Sequence, residues 1–251
     1  MNETKSIDVV NMVNNYINEE KSQNMKTELI FLGPPACGKG TQTTKLAEYL
    51  NFPHVDTGSL LRAEIKAETP AGIEAKKFID KGNLVPVELV SRIIKNRLSE
   101  DDCKKGYILD GFPRSLEQAE QLTKINNEIN GSTPVRFMAI YFDIDTSILV
   151  ERIVNRRSCS KCGEIYNLAF KAPEHEGVCD KCGGELTQRK DDTREIAESR
   201  FDTYNRETAP LIDYYKNMGV LKSIDANGTI DEVWNRLLEV IKWLTENHVM
   251  K

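Results

Sequence analysis

Gly33, Gly38 and Lys39 are spaced as G-x-x-x-x-G-K within residues 29–42, LIFLGPPACGKGTQ, and Thr41 follows the lysine by two positions. Glycines at this spacing let backbone N–H groups turn inward around a polyphosphate while the lysine reaches the outer phosphates. The chemistry on offer is the binding of a nucleoside triphosphate. It works where a strand delivers the loop and a helix N-terminus receives it, because the helix dipole supplies part of the positive field. Leu29, Ile30, Phe31 and Leu32 have strand character, and Thr43, Lys45, Leu46, Ala47 and Leu50 follow helical spacing. A surface loop with chance glycines would lack that context. The loop alone leaves the reaction open among ATPases, GTPases and kinases.

A second candidate is Asp110, which ends the apolar run Tyr107-Ile108-Leu109. An aspartate at the end of a buried strand, beside a phosphate loop, is placed to hold magnesium or its waters. The third is a set of thiols. Cys159-x-x-Cys162 and Cys179-x-x-Cys182 are separated by 16 residues (179 − 162 − 1), which fits the zinc spacing C-x₂-C-x₁₅₋₂₀-C-x₂-C. Four thiolates leave no open coordination position, so one structural Zn²⁺ per chain is expected. Two disulfides fit poorly with a chain that shows no secretory pattern. Cys37 and Cys103 stay outside this set, and Cys37 reads as a small residue that fits within the phosphate loop.

These residues need a framework. Residues 52–56 and 136–145 read as strands, as do 107–110 and 221–226. Helical patterns cover 72–81, 86–98, 146–157 with Asp145 as N-cap, 192–206, 209–218 and 230–245. Strands alternating with helices imply an α/β fold with a parallel sheet covered by helices. Residues 158–189 break the alternation and carry the four thiols. Val9, Met12, Val13, Tyr16 and Ile17 give the first 26 residues one amphipathic helix.

The chain has 251 residues, enough for one principal domain with insertions. A net charge of −5 argues against nucleic acid as the main partner. No apolar run approaches the roughly 18 residues of a membrane span, so no membrane partner is expected. Residues 1–26 lack both an unbroken apolar stretch and arginine, and the default location is the cytoplasm.

From about residue 28 to the end, the sequence resembles the adenylate kinases of the long type, with a zinc-bearing lid. The resemblance rests on GPPACGKGTQ (33–42), DTGSLLR (56–62), GNLVP (82–86), LDGFPRSLEQ (109–118), ERIVNRR (151–157) and RKDD (189–192). It implies a P-loop nucleoside monophosphate kinase fold with a five-stranded parallel sheet. Residues 1–26 would be an extension and 27–251 the kinase domain, with an AMP-binding insertion at 57–86 and the lid at 157–190.

The resemblance also implies roles. Gly33, Pro34, Pro35, Ala36, Cys37, Gly38, Lys39, Gly40 and Thr41 would hold the ATP phosphates, joined by Arg156, Ile165 and Tyr166 from the lid and by Gly228 along the adenine. Thr57, Arg62, Asn83, Leu84, Val85, Gly111, Phe112, Pro113, Arg114, Gln118, Arg189 and Arg200 would surround AMP. Lys39, Arg114, Arg156, Arg189 and Arg200 would act on the transferred phosphoryl group, and Asp110 on Mg²⁺. ATP, AMP and ADP would be the only partners of a monomer.

The physics agrees with those roles. Phosphoryl transfer demands positioning and charge neutralisation more than covalent chemistry, which favours several arginines and no dedicated nucleophile. Two positions depart from the family pattern. Alanine replaces the usual glycine at Ala36, and Ser59 stands where many relatives have aspartate. The alternatives are a kinase for UMP/CMP or GMP, or one using GTP as donor; Gln118, suited to an adenine edge, favours AMP. A zinc-ribbon binding module is the remaining rival. It would need a basic, aromatic-bearing ribbon, whereas this one carries Glu164, Glu174, Glu176, Asp180 and Glu185.

Overall fold

The computed structural model describes residues 25–246. The helix expected around Val9 to Ile17 lies outside the described residues. Strand β1 (Lys26–Leu32) is buried throughout and leads into the glycine loop and helix α1 (Lys39–Leu50). Next come β2 (His54–Asp56), α2 (Thr57–Lys66), α3 (Pro70–Ile79), α4 (Val87–Leu98) and β3 (Gly106–Asp110). They are followed by α5 (Leu116–Asn130), β4 (Val135–Asp143) and α6 (Leu149–Val154). A small sheet of β5 (Arg156–Cys159), β6 (Ile165–Asn167) and β7 (Leu186–Thr187) intervenes. The chain then closes through α7 (Arg194–Thr203), α8 (Pro210–Asn217), β8 (Leu221–Asp225) and α9 (Ile230–Glu246).

The main sheet has the order β2-β3-β1-β4-β8, with every pairing parallel, as the alternation of elements requires. Its pleat sorts successive residues to opposite faces. Leu29 and Phe31 of β1 join Leu46, Trp234 and Leu237 on one side, while Ile30 and Leu32 join Ile94, Leu122 and Leu211 on the other. Burial on both faces explains the unbroken apolar runs. Because all five strands point the same way, Asp110 comes level with Phe31 and with Asp56 at the carboxyl edge. Ligands bind in the crevice beyond that edge in open α/β sheets.

Several boundaries differ from the sequence reading, each for a local reason. β1 starts at Lys26 because its polar residues find partners on α5. Lys26 Nζ donates to Asn130 Oδ1 at 3.0 Å, and Glu28 Oε2 accepts from Asn126 Nδ2 at 2.6 Å. Asp145 caps a 3₁₀ turn, Thr146–Ile148, and the helix that follows stops at Val154, so Arg156 and Arg157 belong to the small sheet. The pattern over 192–206 ends at Thr203 in a π-helical turn, Tyr204–Thr208, ahead of Pro210. Between α2 and α3, a Cβ on Gly72 would lie 2.1 Å from the Glu64 carbonyl oxygen, so only glycine permits the two helices to touch.

Candidate functional site

The glycine loop is shaped by three left-handed or extended residues. Gly33 has φ +148°, Gly38 has φ +96° and caps α1, and Ala36 has φ +60°. Alanine therefore occupies a conformation that glycine would adopt without cost. Lys39 Nζ folds back over the loop, donating to the carbonyls of Gly33 at 2.7 Å and Pro34 at 3.0 Å, with Cys37 Sγ at 3.3 Å. The ammonium is thus held against the loop's own backbone.

Asp110 faces the first turn of α1. Thr43 Oγ1 lies 3.2 Å from its Oδ2, and His54 Nε2 lies 3.6 Å from it. A Cβ on Gly40 would come within 3.6 Å of the same oxygen. Burial by itself would raise the carboxyl pKa. His54, Lys39 and Arg114 outweigh it and hold the group below the usual aspartate value. A carboxylate kept charged beside a phosphate loop suits a divalent cation.

The arginines come from five separate elements or loops. Arg62 lies on α2, Arg114 follows β3, Arg156 opens β5 and Arg200 lies on α7, while Arg189 precedes α7. Burial pushes Arg189 and Arg200 down to about 9, and neighbouring guanidinium groups, Arg156 foremost, add to the effect. Like charges this close need counter-charge. Asp192, with no exposed surface, takes Arg156 Nε at 2.8 Å, and Asp191 pairs with Arg200. Counting Lys39, six cationic groups face the four carboxylates Asp56, Asp110, Asp191 and Asp192, and that excess of positive charge is the electrostatics of an anion site.

Around α2, Asp56 is the N-cap, accepting from the N–H groups of Gly58 at 2.9 Å and Ser59 at 3.2 Å. The Thr57 hydroxyl is buried and makes no hydrogen bond. Gln118 is buried, with Oε1 accepting from the Arg114 backbone N–H at 2.8 Å. Its NH₂ group and one oxygen lone pair are left for another partner. Gly111 has φ +81°, and in the turn after β3 Arg114 Nε donates to the Gly111 carbonyl at 2.8 Å. Asn83, Leu84 and Val85 follow Gly82, whose position is fixed against α7 by the bond from Ser199 Oγ to the Lys81 carbonyl at 2.7 Å.

The small sheet stands over the loop. Ile165 Cδ1 would touch a Cβ on Gly40 at 3.8 Å, and Lys181 Nζ reaches Glu48 on α1 at 3.7 Å. The ring of Tyr166 is not turned toward the loop. It is buried in the small sheet's own core, where its hydroxyl accepts from the Asp180 N–H at 2.9 Å and approaches Cys179 Sγ at 3.6 Å. The lid-side contact expected of Tyr166 would therefore be made through its backbone. Gly228, with φ +115°, precedes the capped start of α9, where Thr229 N–H donates to Glu232 Oε2 at 2.7 Å.

Cys159, Cys162, Cys179 and Cys182 bring their sulfurs within 4.8 Å of one another. Two of the separations are 3.5 and 3.6 Å. Tetrahedral thiolates about 2.3 Å from a metal lie roughly 3.8 Å apart, so the cluster fits one ion.

Sequence reasoning missed His54, Thr43 and the acids Asp56, Asp191 and Asp192. The carboxylates stand inside the quoted motifs, but nothing in the sequence shows that Asp192 meets an arginine 36 positions earlier. Among the described residues no helix is long and apolar enough to cross a membrane.

Known proteins bear on this geometry. The family model described as Adenylate kinase matches residues 31–220. An adenylate kinase of Thermodesulfovibrio yellowstonii is 47% identical over 214 residues, covering 85% of this chain and 98% of its own. Those of Clostridium tetani and Geobacillus sp. are 45% and 44% identical over 213 residues, each covering 85% of this chain and 97% of its own. With the glycine loop, the arginine cluster and the parallel sheet all in place, the chain belongs to the adenylate kinase family.

Proposed function

We propose that the protein transfers the terminal phosphoryl group of ATP to AMP, reversibly and with Mg²⁺, giving two ADP. The observation that carries this reading is the convergence of Lys39 and five arginines at the carboxyl edge of the sheet, with Arg189 and Arg200 desolvated among like charges. Such a cluster is costly without an anion and favourable with several phosphates bound.

In this reading, Gly33 to Thr41 cradle the ATP phosphates and Lys39 leaves the Gly33 and Pro34 carbonyls for the transferred group. Arg62, Arg114 and the unpartnered Thr57 hydroxyl receive AMP, with Gln118 at the base and the backbone of Asn83 to Val85 beside it. An AMP phosphate oxygen bonds to the γ-phosphorus as the bond to the β–γ bridging oxygen breaks, and no general base is required. Arg156, Arg189 and Arg200 neutralise charge on the moving group, each with a planar fork suited to phosphate. Asp110 is the residue that would hold Mg²⁺ or its waters, and the ion would supply counter-charge to the nucleotide phosphates. The small sheet, residues 157–190, is the lid that excludes water, and residues 57–86 form the AMP-binding insertion.

Zinc is the metal that four thiolates at this spacing favour, with a structural role. Buried thiols at Cys37 and Cys103 suit a reducing compartment, and we place the enzyme in the cytoplasm. One chain supplies every group used here, so a monomer suffices.

The test is turnover with MgATP and AMP, GMP, UMP or CMP offered singly, with Lys39→Met as control. Rapid ADP formation from AMP alone, lost in the variant, is expected. Faster use of another monophosphate would overturn the acceptor assignment, and no turnover with any of them would overturn the activity.

A further inference from the structure

Arg62 is held by an aspartate that no phosphate-binding role accounts for. Its Nη2 donates to Asp56 Oδ2 at 3.3 Å and to Ser59 Oγ at 3.0 Å, and the Ser59 hydroxyl itself donates to Asp56 Oδ2. Asp56 also caps α2, so one carboxylate fixes both the first turn of the helix and the guanidinium that lies across it. Gly58 makes room for this, since a Cβ there would meet Arg62 Nη1 at 3.0 Å and Asp56 Oδ1 at 3.2 Å. With Nη2 engaged, Nε and Nη1 make no hydrogen bond among the described residues. Three N–H donors stay open.

We propose that Asp56 is a positioning residue for the acceptor phosphate. It anchors Arg62 by one nitrogen and presents the remaining donors before the nucleotide arrives. The inference rests on the reading that Arg62 receives AMP. A long arginine side chain otherwise loses rotamer freedom on binding, and an internal anion that fixes it beforehand lowers that cost. The arrangement belongs to this chain's own residues. The carboxylate stands at the cap position and the hydroxyl three residues on, so the charge acts on Arg62 from the start of the helix.

Asp56→Asn separates the two duties, because asparagine caps a helix as well as aspartate but carries no charge. With full-length enzyme and saturating MgATP, the variant is expected to raise KM for AMP about tenfold, the scale of one charge-assisted hydrogen bond. KM for MgATP, kcat and the melting temperature should stay close to those of the parent. In an Arg62→Ala background the same substitution should add less than about twofold, because its effect passes through the arginine. If Arg62→Ala raises KM for AMP and Asp56→Asn does not, the positioning role is overturned while the AMP reading stands. If Arg62→Ala leaves KM for AMP unmoved, both fall. A lower KM in Asp56→Asn would make the carboxylate a competitor of the phosphate. A loss of thermal stability with both KM values raised alike would make it structural only. Either result overturns the proposal.

Discussion

Arg156 grips Asp192 with two donors, Nε–H to Oδ2 at 2.8 Å and Nη2–H to Oδ1, and Asp192 is entirely withdrawn from solvent. The same Oδ1 lies 3.5 Å from Arg200 Nη1, so one carboxylate ties the first strand of the small sheet to α7.

Removing that charge should be expensive. Asp192→Asn keeps the shape but leaves Arg156 beside Arg189 and Arg200 with their shared counter-charge gone, and a loss of about 3 kcal/mol in unfolding free energy is expected. Urea unfolding checks it. A loss below about 1 kcal/mol would show that the pair acts like an exposed one.

Ala36→Gly should stabilise the free protein. The alanine at φ +60° carries a left-handed conformation worth roughly 1–2 kcal/mol, partly offset by the extra freedom glycine gives the unfolded chain. The expected result is a melting temperature higher by about 2 °C. A decrease would mean that the alanine methyl makes a contact worth more than the strain.

Proton linkage gives a third expectation. Burial and neighbouring cations push Arg189 and Arg200 down to about 9, and the free enzyme is expected to lose part of their charge near that pH. Bound phosphate favours the charged form and raises both values, so nucleotide binding should take up protons near pH 9 and none through these groups at neutral pH. Calorimetry in buffers of different ionisation enthalpy measures the uptake. Proton release near pH 9 would contradict the sign.

In the proposed reading the four thiols hold a structural ion, so their loss should act on stability and not on chemistry. Cys159→Ser with Cys162→Ser should lower the melting transition substantially and change turnover little at temperatures well below it. The measurement pairs thermal unfolding with initial rates. Loss of activity in a protein that remains folded would contradict a purely structural site.

Where the sequence was informative, the physics was local. The glycine loop, the C-x-x-C pairs and the capped starts of helices depend on residues a few positions apart, and Gly33, Lys39 and Cys159 were legible for that reason. The pairings of Arg156 with Asp192 and of Asp110 with His54 join residues 36 and 56 positions apart, and no periodicity encodes them. The sense of a side chain was equally hidden. Tyr166 follows Ile165, which stands over the loop, but whether its ring faces a nucleotide or the thiols is decided by packing within the small sheet.

That packing has a consequence of its own. The small sheet's core consists of Cys159, Tyr166, Cys179 and Leu186, with Cys182 against it, and it shares no residue with the two clusters that flank the main sheet. Only two of those side chains are large and carbon-rich, too few to make this part a cooperative folding unit by hydrophobicity. In the proposed reading, metal coordination replaces greasy contact as its cohesion. The piece would then disengage from the sheet without opening either of the larger interiors, and its integrity would answer to metal supply while theirs answers to temperature.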